Sequence, residues 1–379
     1  MPRTFYTNKT VRDPLDTTPP KPSRRELPLE FSASGSEYFR IWIVNLLLTI
    51  VTLSLYLPFA KARRLRYFYA NTLVDGQPLA FHGNPWTILD GHLVMVACGF
   101  AFWIGIQTDT ALWLLALPLF ILLWPALWHS SLKYYAENTN WGNLSFRFSG
   151  TMAGAYRASI PLLVLLLLLG AMFIKSAHLQ LAATTQAVVS TLALLLVALV
   201  FAAASWACLK RYQQSGYCLA DERAASQISV FSVLALELMA FGLAVVGILT
   251  SVALTWGSVW AMEQTLEPAG KLGGRVLFVA VFLVVLVFAF LTTLAAFSAP
   301  LFAWGLFSAR LQNLLWTGTR SQQLVFLSRL SARSLGWLNL KSGLLTIVTL
   351  GMYRPFAVVA SIRLKLHAVR IGQYGDLGK

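Results

Sequence analysis

The feature that most constrains this chain is a stretch written twice. Near the N-terminus it reads Leu47-Leu-Thr-Ile-Val-Thr-Leu53, then Ser-Leu, then Tyr56-Leu-Pro58-Phe-Ala60, then a basic helix through Arg66. Near the C-terminus, 297 positions on, it reads Leu344-Leu-Thr-Ile-Val-Thr-Leu350, Gly-Met, Tyr353-Arg-Pro355-Phe-Ala357, then a helix carrying Arg363. Thr, Tyr and Pro recur in register with the leucines, so leucine-rich composition alone does not produce the match. Internal repetition is settled first because it decides the architecture.

Between the two copies the chain is built for lipid. Of 379 residues 57% are hydrophobic and 12% charged, whereas soluble domains carry about 25% charge. Apolar segments fall at 41–60, 88–106, 110–128, 155–174, 186–208, 229–256, 275–305 and 336–360. Several approach or exceed the roughly 20 residues that cross a hydrocarbon core. The class is an all-α, polytopic membrane protein.

The net charge of +15 does not indicate a nucleic-acid partner, because the basic residues sit in the connections between apolar segments. They are Lys61, Arg63, Arg64 and Arg66; Lys133 and Arg147; Lys210, Arg211 and Arg223; and Arg310, Arg320, Arg329 and Arg333. The positive-inside rule turns these four connections toward the cytoplasm and makes the middle six segments three hairpins. The three cysteines, Cys98, Cys208 and Cys218, have no CxxC spacing. An odd count without paired Cys or His gives neither a disulfide framework nor a zinc site.

Residues 1–30, with Pro14, Pro19, Pro20, Pro22 and Arg24-Arg25, read as a disordered polar tail, and 31–379 as the membrane domain. The connections resemble one another. The helix-stop motif is Asn71-Thr72 in the first, Asn138-Thr139 in the second and Gly318-Thr319 in the fourth, while the third has lost it. Asn and Gly stop helices because they tolerate positive φ. Short β-like lead-ins near Phe31, Phe81, Phe148, Phe231 and Phe326 mark five hairpin units, 31–80, 81–147, 148–229, 230–324 and 325–379. The first and last units are short. Six full spans plus two re-entrant or short ones, bending at the Tyr-x-Pro turns, keep both basic termini inside. The alternative is eight full spans.

The run Glu37-Tyr-Phe-Arg40-Ile-Trp, then Thr52-Leu-Ser-Leu-Tyr56-Leu-Pro58-Phe-Ala60, then Arg63-Arg64-Leu-Arg66-Tyr-Phe and Asn71-Thr72 resembles the YjgN-like family of bacterial inner-membrane proteins. The resemblance covers nearly everything after residue 30 and implies a multi-pass location in the bacterial cytoplasmic membrane. It implies no activity, the family being a domain of unknown function. The chain departs from the pattern at Ser54, where Gly is common, and at Phe59, where Trp is common.

Three groups of residues are candidates for function. Lys61, Arg63, Arg64, Arg66 and Tyr67, with Arg363 and Lys365, form basic-aromatic helices suited to phosphate; the same pattern serves as an orientation signal with an aromatic belt. Asn45, Thr52, Tyr56 and Pro58, with Thr349, Tyr353 and Pro355, form the duplicated polar stripe, which lines a cavity between repeats or packs helices. Glu237, Asp90 and His92 are ionisable residues in or beside apolar segments; Glu237 aligns with Glu37 as the capping residue of its unit.

No HExxH, GxSxG or P-loop is present, so neither catalysis nor a cofactor is expected. The first functional expectation is a transporter, channel or lipid-handling protein with a cavity between repeats. The second is a non-transporting scaffold that binds anionic phospholipid or a protein through its basic cytoplasmic helices. The expected partner is the bilayer, with no nucleic acid. Substrate, protein partner and oligomeric state are not legible in the sequence.

Overall fold

The helix stops are followed by strands, and the strands hold the helices together. The computed structural model describes residues 25–108, 112–178, 185–220, 222–269 and 275–374. β1 (Arg25–Leu27) and β2 (Leu29–Phe31) lead into α1 (Gly35–Val51), and α2 (Leu57–Ala70) returns to β3 (Thr72–Val74) and β4 (Gln77–Phe81). α3 (Pro85–Gln107) and α4 (Leu112–Glu137) follow, then β5 (Thr139–Trp141) and β6 (Leu144–Phe148). Next come α5 (Met152–His178), α6 (Thr185–Gly216), β7 (Tyr217–Leu219), β8 (Glu222–Arg223) and β9 (Ala225–Ser226). The chain ends with α7 (Val230–Ala269), α8 (Arg275–Thr317), β10 (Thr319–Arg320), β11 (Leu324–Ser328), α9 (Ala332–Val348), α10 (Arg354–His367) and β12 (Val369–Gln373).

Every strand pairing is antiparallel, in the orders β2-β3-β4-β5-β6-β7-β8 and β1-β12-β11-β10-β9. Only Pro28 separates β1 from β2, and only Ala224 separates β8 from β9. Each such pair is one broken stave shared by both sheets, so the strands close into a ring. The proline that breaks the first stave still accepts, from the Asp75 N–H at 2.9 Å. Closure gives each broken stave a neighbour on both sides, β12 and β3 for the first and β7 and β10 for the second, which limits exposed sheet edge. Alternation along the strands sends one face inward. Leu27, Val74, Trp141, Leu219 and Leu324, from five staves, are buried together in the lumen, and the Trp141 indole donates to the Val74 carbonyl at 3.0 Å.

Five seams join helices to ring in one way. The N–H groups of Ser32, His82, Ser149, Gln227 and Arg329 donate to the carbonyls of Asn71, Asn138, Gly216, Gly318 and Ala368 at 2.8–3.1 Å. Just beyond, the side-chain oxygens of Ser34, Asn84, Thr151 and Ser331 accept from the N–H groups of Glu37, Trp86, Gly154 and Ser334. Short polar side chains at such positions satisfy donors that a helix start leaves open.

Three sequence expectations are corrected. The fourth lead-in is β8–β9, not Phe231, which lies in the first turn of α7 with its ring outward. The polar tail drawn to residue 30 overreaches, because Arg25–Leu27 pairs with β12 and Leu29–Phe31 with β3. The Asn stop does not work through a left-handed backbone: Asn71 has φ −94°. It works by capping, since the Asn71 and Asn138 amides donate to the Tyr67 and Tyr134 carbonyls at 2.8 Å. Beside them, the Thr72, Thr139 and Thr319 hydroxyls donate to the carbonyls four residues back.

The helices pack against their neighbours around the ring, α10 against α1 included. Among the described residues, five stretches are long and apolar enough to cross a bilayer: Pro85–Gln107, Met152–Gly170, Ser190–Gly216, Val230–Gln264 and Val279–Thr317. The further expected segment, 110–128, falls in α4 and begins outside the described residues. Segments 41–60 and 336–360 are each broken into a 17-residue and a 14-residue helix, and both helices of each pair end at the strand ring. The two bends share one geometry. Leu53 and Ser54 have φ of 48° and 73°, Leu350 and Gly351 of 49° and 92°. Thr52 Oγ1 accepts from the Tyr56 N–H, and Thr349 Oγ1 from the Tyr353 N–H, both at 3.0 Å. Pro58 and Pro355 are buried in the first turns of α2 and α10.

Candidate functional site: a chamber on the ring axis

The ring strands and helix ends line a partly open chamber of about 470 Å³ above the apolar lumen cluster. Its helix-side layer is Tyr69, Ala136, Gln214, Trp316 and Leu366, each two residues before the carbonyl that makes its seam. The next layer is Thr72, Thr139, Tyr217 and Thr319. The floor is the lumen cluster, with Leu29, Leu79, Phe146, Phe326 and Ile371 around it.

A polar belt crosses this apolar wall on one side. Lys210 Nζ donates to Gln213 Oε1 at 2.9 Å, and Gln213 Nε2 donates to the Tyr217 hydroxyl at 3.1 Å. The Thr319 hydroxyl lies against the Gln214 side-chain amide, and the Ser321 hydroxyl donates to Glu222 Oε2. Burial pushes the Tyr69 and Tyr217 phenols above their ordinary range, so both are neutral hydroxyls at neutral pH. No cluster of three or more His, Cys, Asp or Glu suited to a metal occurs among the described residues. The arrangement suits holding a ligand with a large apolar body and a small polar part.

The basic residues divide into two kinds. Arg66 donates to the Gly83 carbonyl at 2.9 Å and Arg363 to the Ala33 carbonyl at 2.7 Å. Arg211 donates to the Ile228 carbonyl, and Asn313 Nδ2 to that of Leu330 at 2.9 Å. All four lie five residues before a seam carbonyl and tie one unit to the next. Arg211 and Asn313 were missed, although that constant offset was readable. The Tyr67 hydroxyl is 3.1 Å from both the N–H and carbonyl of Ser34 and 3.0 Å from Glu37 Oε2. The phosphate-binding expectation for Arg66, Arg363 and Tyr67 thus meets side chains already engaged with the protein. Arg63 and Arg64 are exposed with no carboxylate against them among the described residues. Lys61 Nζ lies 4.6 Å from the ring centre of Tyr135, a chamber-wall residue. Lys365 is half-buried, and its carbonyl accepts from Gln312.

The duplicated stripe lies elsewhere. Asn45, Thr52, Tyr56, Pro58, Thr349, Tyr353 and Pro355 are absent from the chamber wall; the threonines, tyrosines and prolines build the bends. Asn45 Oδ1 and Ser342 Oγ, which match in the two copies, are buried without hydrogen-bond partners. Glu237 Oε2 is likewise buried and unpartnered. Counted from the seam N–H groups, Glu237 corresponds to His92 and not to Glu37, because its lead-in ends at Ser226. His92 Nε2 is 3.0 Å from the Ser54 carbonyl at the first bend. Asp90 is exposed.

Over residues 26–379 the chain matches the family described as bacterial protein of unknown function, DUF898. It belongs to that family. The inner membrane protein YjgN of Escherichia coli O157:H7 is 31% identical over 174 residues, 45% of this chain and 44% of the relative. Its counterpart in Escherichia coli K12 is 30% identical over 171 residues, 44% of this chain and 42% of the relative. That of Salmonella typhimurium LT2 is 29% identical over 157 residues, 39% and 38% of the two chains. The matched stretch therefore spans less than half of each curated relative. No solved structure matches. With five helices among the described residues long and apolar enough to cross a bilayer, the chain is a multi-pass protein of the bacterial inner membrane.

Proposed function

We propose that this protein is a lipid-handling protein whose axial chamber holds the apolar part of an amphiphile taken from the bilayer, with its polar group against Lys210, Gln213 and Tyr217. The observation that carries this reading is the 470 Å³ chamber itself, largely apolar, on the axis where five helix pairs converge. The buried lumen cluster below it favours a holding site over an aqueous pore. Arg25, Arg147, Arg223, Arg320 and Arg370 all lie in the ring strands, which supports a cytoplasmic position for the ring. In this reading five related units, bent short at the two ends of the chain, surround one ligand.

The scaffold reading retains one supporting observation, the exposed pair Arg63 and Arg64. It is weakened by the engagement of Arg66 and Arg363 with backbone carbonyls.

The test is to purify the protein in detergent and identify bound amphiphiles by native mass spectrometry. The wild type carries a stoichiometric amphiphile. Leu366→Trp, which fills the chamber from its helix-side layer, loses it while the thermal unfolding temperature holds. A wild type that carries no bound amphiphile, or a variant that binds equally, refutes the reading.

A further inference from the structure

The wall of helices has one low side. α1–α2 and α9–α10 are neighbours around the ring, joined where α1 packs on α10 and Arg363 meets Ala33. Their helices have 17 and 14 residues, against 40 and 43 in α7 and α8. Both bends also stay near the ring. The first reaches His92, seven residues into α3, so it rises only about 10 Å along that helix at 1.5 Å per residue. Beside it, Phe59 meets the Trp86 ring at the base of α3, with centroids 5.0 Å apart. At the second bend, Phe356 lies 5.8 Å from Phe39 and fills the space a side chain at Gly35 would need, at the base of α1.

Low bends require an apolar medium at shallow depth. Val51 is 79% and Leu53 87% exposed, Val348 78% and Leu350 94%. Helices lying in a membrane interface bury their apolar faces to about 5–10 Å, which matches the height of the first bend. The polar side of α2 carries Lys61, Arg63 and Arg64, with the last two free of carboxylates among the described residues. Lys61 is exposed as well, and its ammonium rests over the ring of Tyr135, a residue of the chamber wall. Exposed arginines that suit phosphate and a lysine against a chamber-wall ring thus lie along one helix, beside the only adjacent pair of short hairpins among the described helices.

We propose that this low side is a lateral doorway through which a bilayer phospholipid enters the chamber. One acyl chain crosses above the two bends, and the phosphate passes from Arg63 and Arg64 to Lys61. The doorway rests on the chamber reading above, and the experiment separates their failures. Protein reconstituted in liposomes receives phospholipid brominated on its acyl chains, and the quenching lost in Trp316→Phe is taken as the chamber signal. Wild type shows slow quenching that reaches a plateau. The Lys61→Gln, Arg63→Gln, Arg64→Gln triple variant reaches the same plateau about tenfold more slowly, as loss of charge-guided entry requires. No plateau in either protein refutes the chamber. A plateau reached at equal rates refutes the doorway alone. Nitroxides at Leu53→Cys and Leu350→Cys supply a second measurement: both report a depth just below the phosphates, and a midplane depth for either overturns the doorway.

Discussion

The Arg363 guanidinium donates to the Ala33 carbonyl at 2.7 Å across 330 positions of chain, tying the last helix to the seam before the first. Arg66 makes the same bond to Gly83, between the first and second units. A charged hydrogen bond of this kind contributes about 1.5–3 kcal/mol. Arg363→Met and Arg66→Met are each expected to lower stability by about that amount, read by thermal unfolding in detergent. Arg63→Met, from the same basic helix, stays within about 0.5 kcal/mol of wild type. Equal effects at Arg63 and Arg66 would remove the distinction between stitching and surface arginines.

The two bends differ at one position where glycine matters. Ser54 has φ 73° and its match Gly351 has φ 92°, with nothing within 4 Å of a side chain added at Gly351. A left-handed backbone costs a residue with a Cβ about 1–2 kcal/mol, offset partly by the greater freedom of an unfolded glycine. Ser54→Gly therefore raises the unfolding temperature and Gly351→Ala lowers it, each by about 0.5–1 kcal/mol equivalent. The same sign for both substitutions would contradict the account of the bend.

Lys365 is half-buried, and burial holds its ammonium below the usual lysine range. The unfolded chain therefore binds the proton more tightly than the folded one. Between the folded and the ordinary lysine pKa, stability rises with pH as the cost of the buried charge disappears. Lys365→Met should be at least as stable as wild type at neutral pH, with a flatter alkaline stability profile. Denaturant titration across the alkaline range tests this; a wild type that loses stability relative to Lys365→Met there has the wrong sign.

Some strands of the ring were legible, but most of the ring and its closure were not. Alternation in Phe146-Arg-Phe148 and the Asn-Thr stops are local signals, and they predicted strands where β4, β6 and β11 lie. Closure depends on β1 meeting β12 across the whole chain, and no local pattern encodes that register. In the third connection the staves shrink to Glu222–Arg223 and Ala225–Ser226, without an aromatic anchor. The apolar pair Val230-Phe231 then resembled a strand more than the real one did. The Tyr-x-Pro turns are the most conspicuous repeat and point to a cavity, yet Thr52, Tyr56 and Pro58 encode a local bend. Arg363 looked like a phosphate ligand because a stitching arginine and a binding arginine leave the same mark in a basic helix.

The most direct test of the account is whether the chain closes on itself. Glu26 and Gly372 are register partners of β1 and β12. With Cys98, Cys208 and Cys218 replaced, Glu26→Cys and Gly372→Cys are treated in membranes with a short bismaleimide, and the chain is then cut by protease in a central loop. Closure predicts that the N- and C-terminal fragments stay joined on a denaturing gel, whereas each single-cysteine control separates. Separation in the double variant as well would contradict the ring, and with it the chamber on its axis.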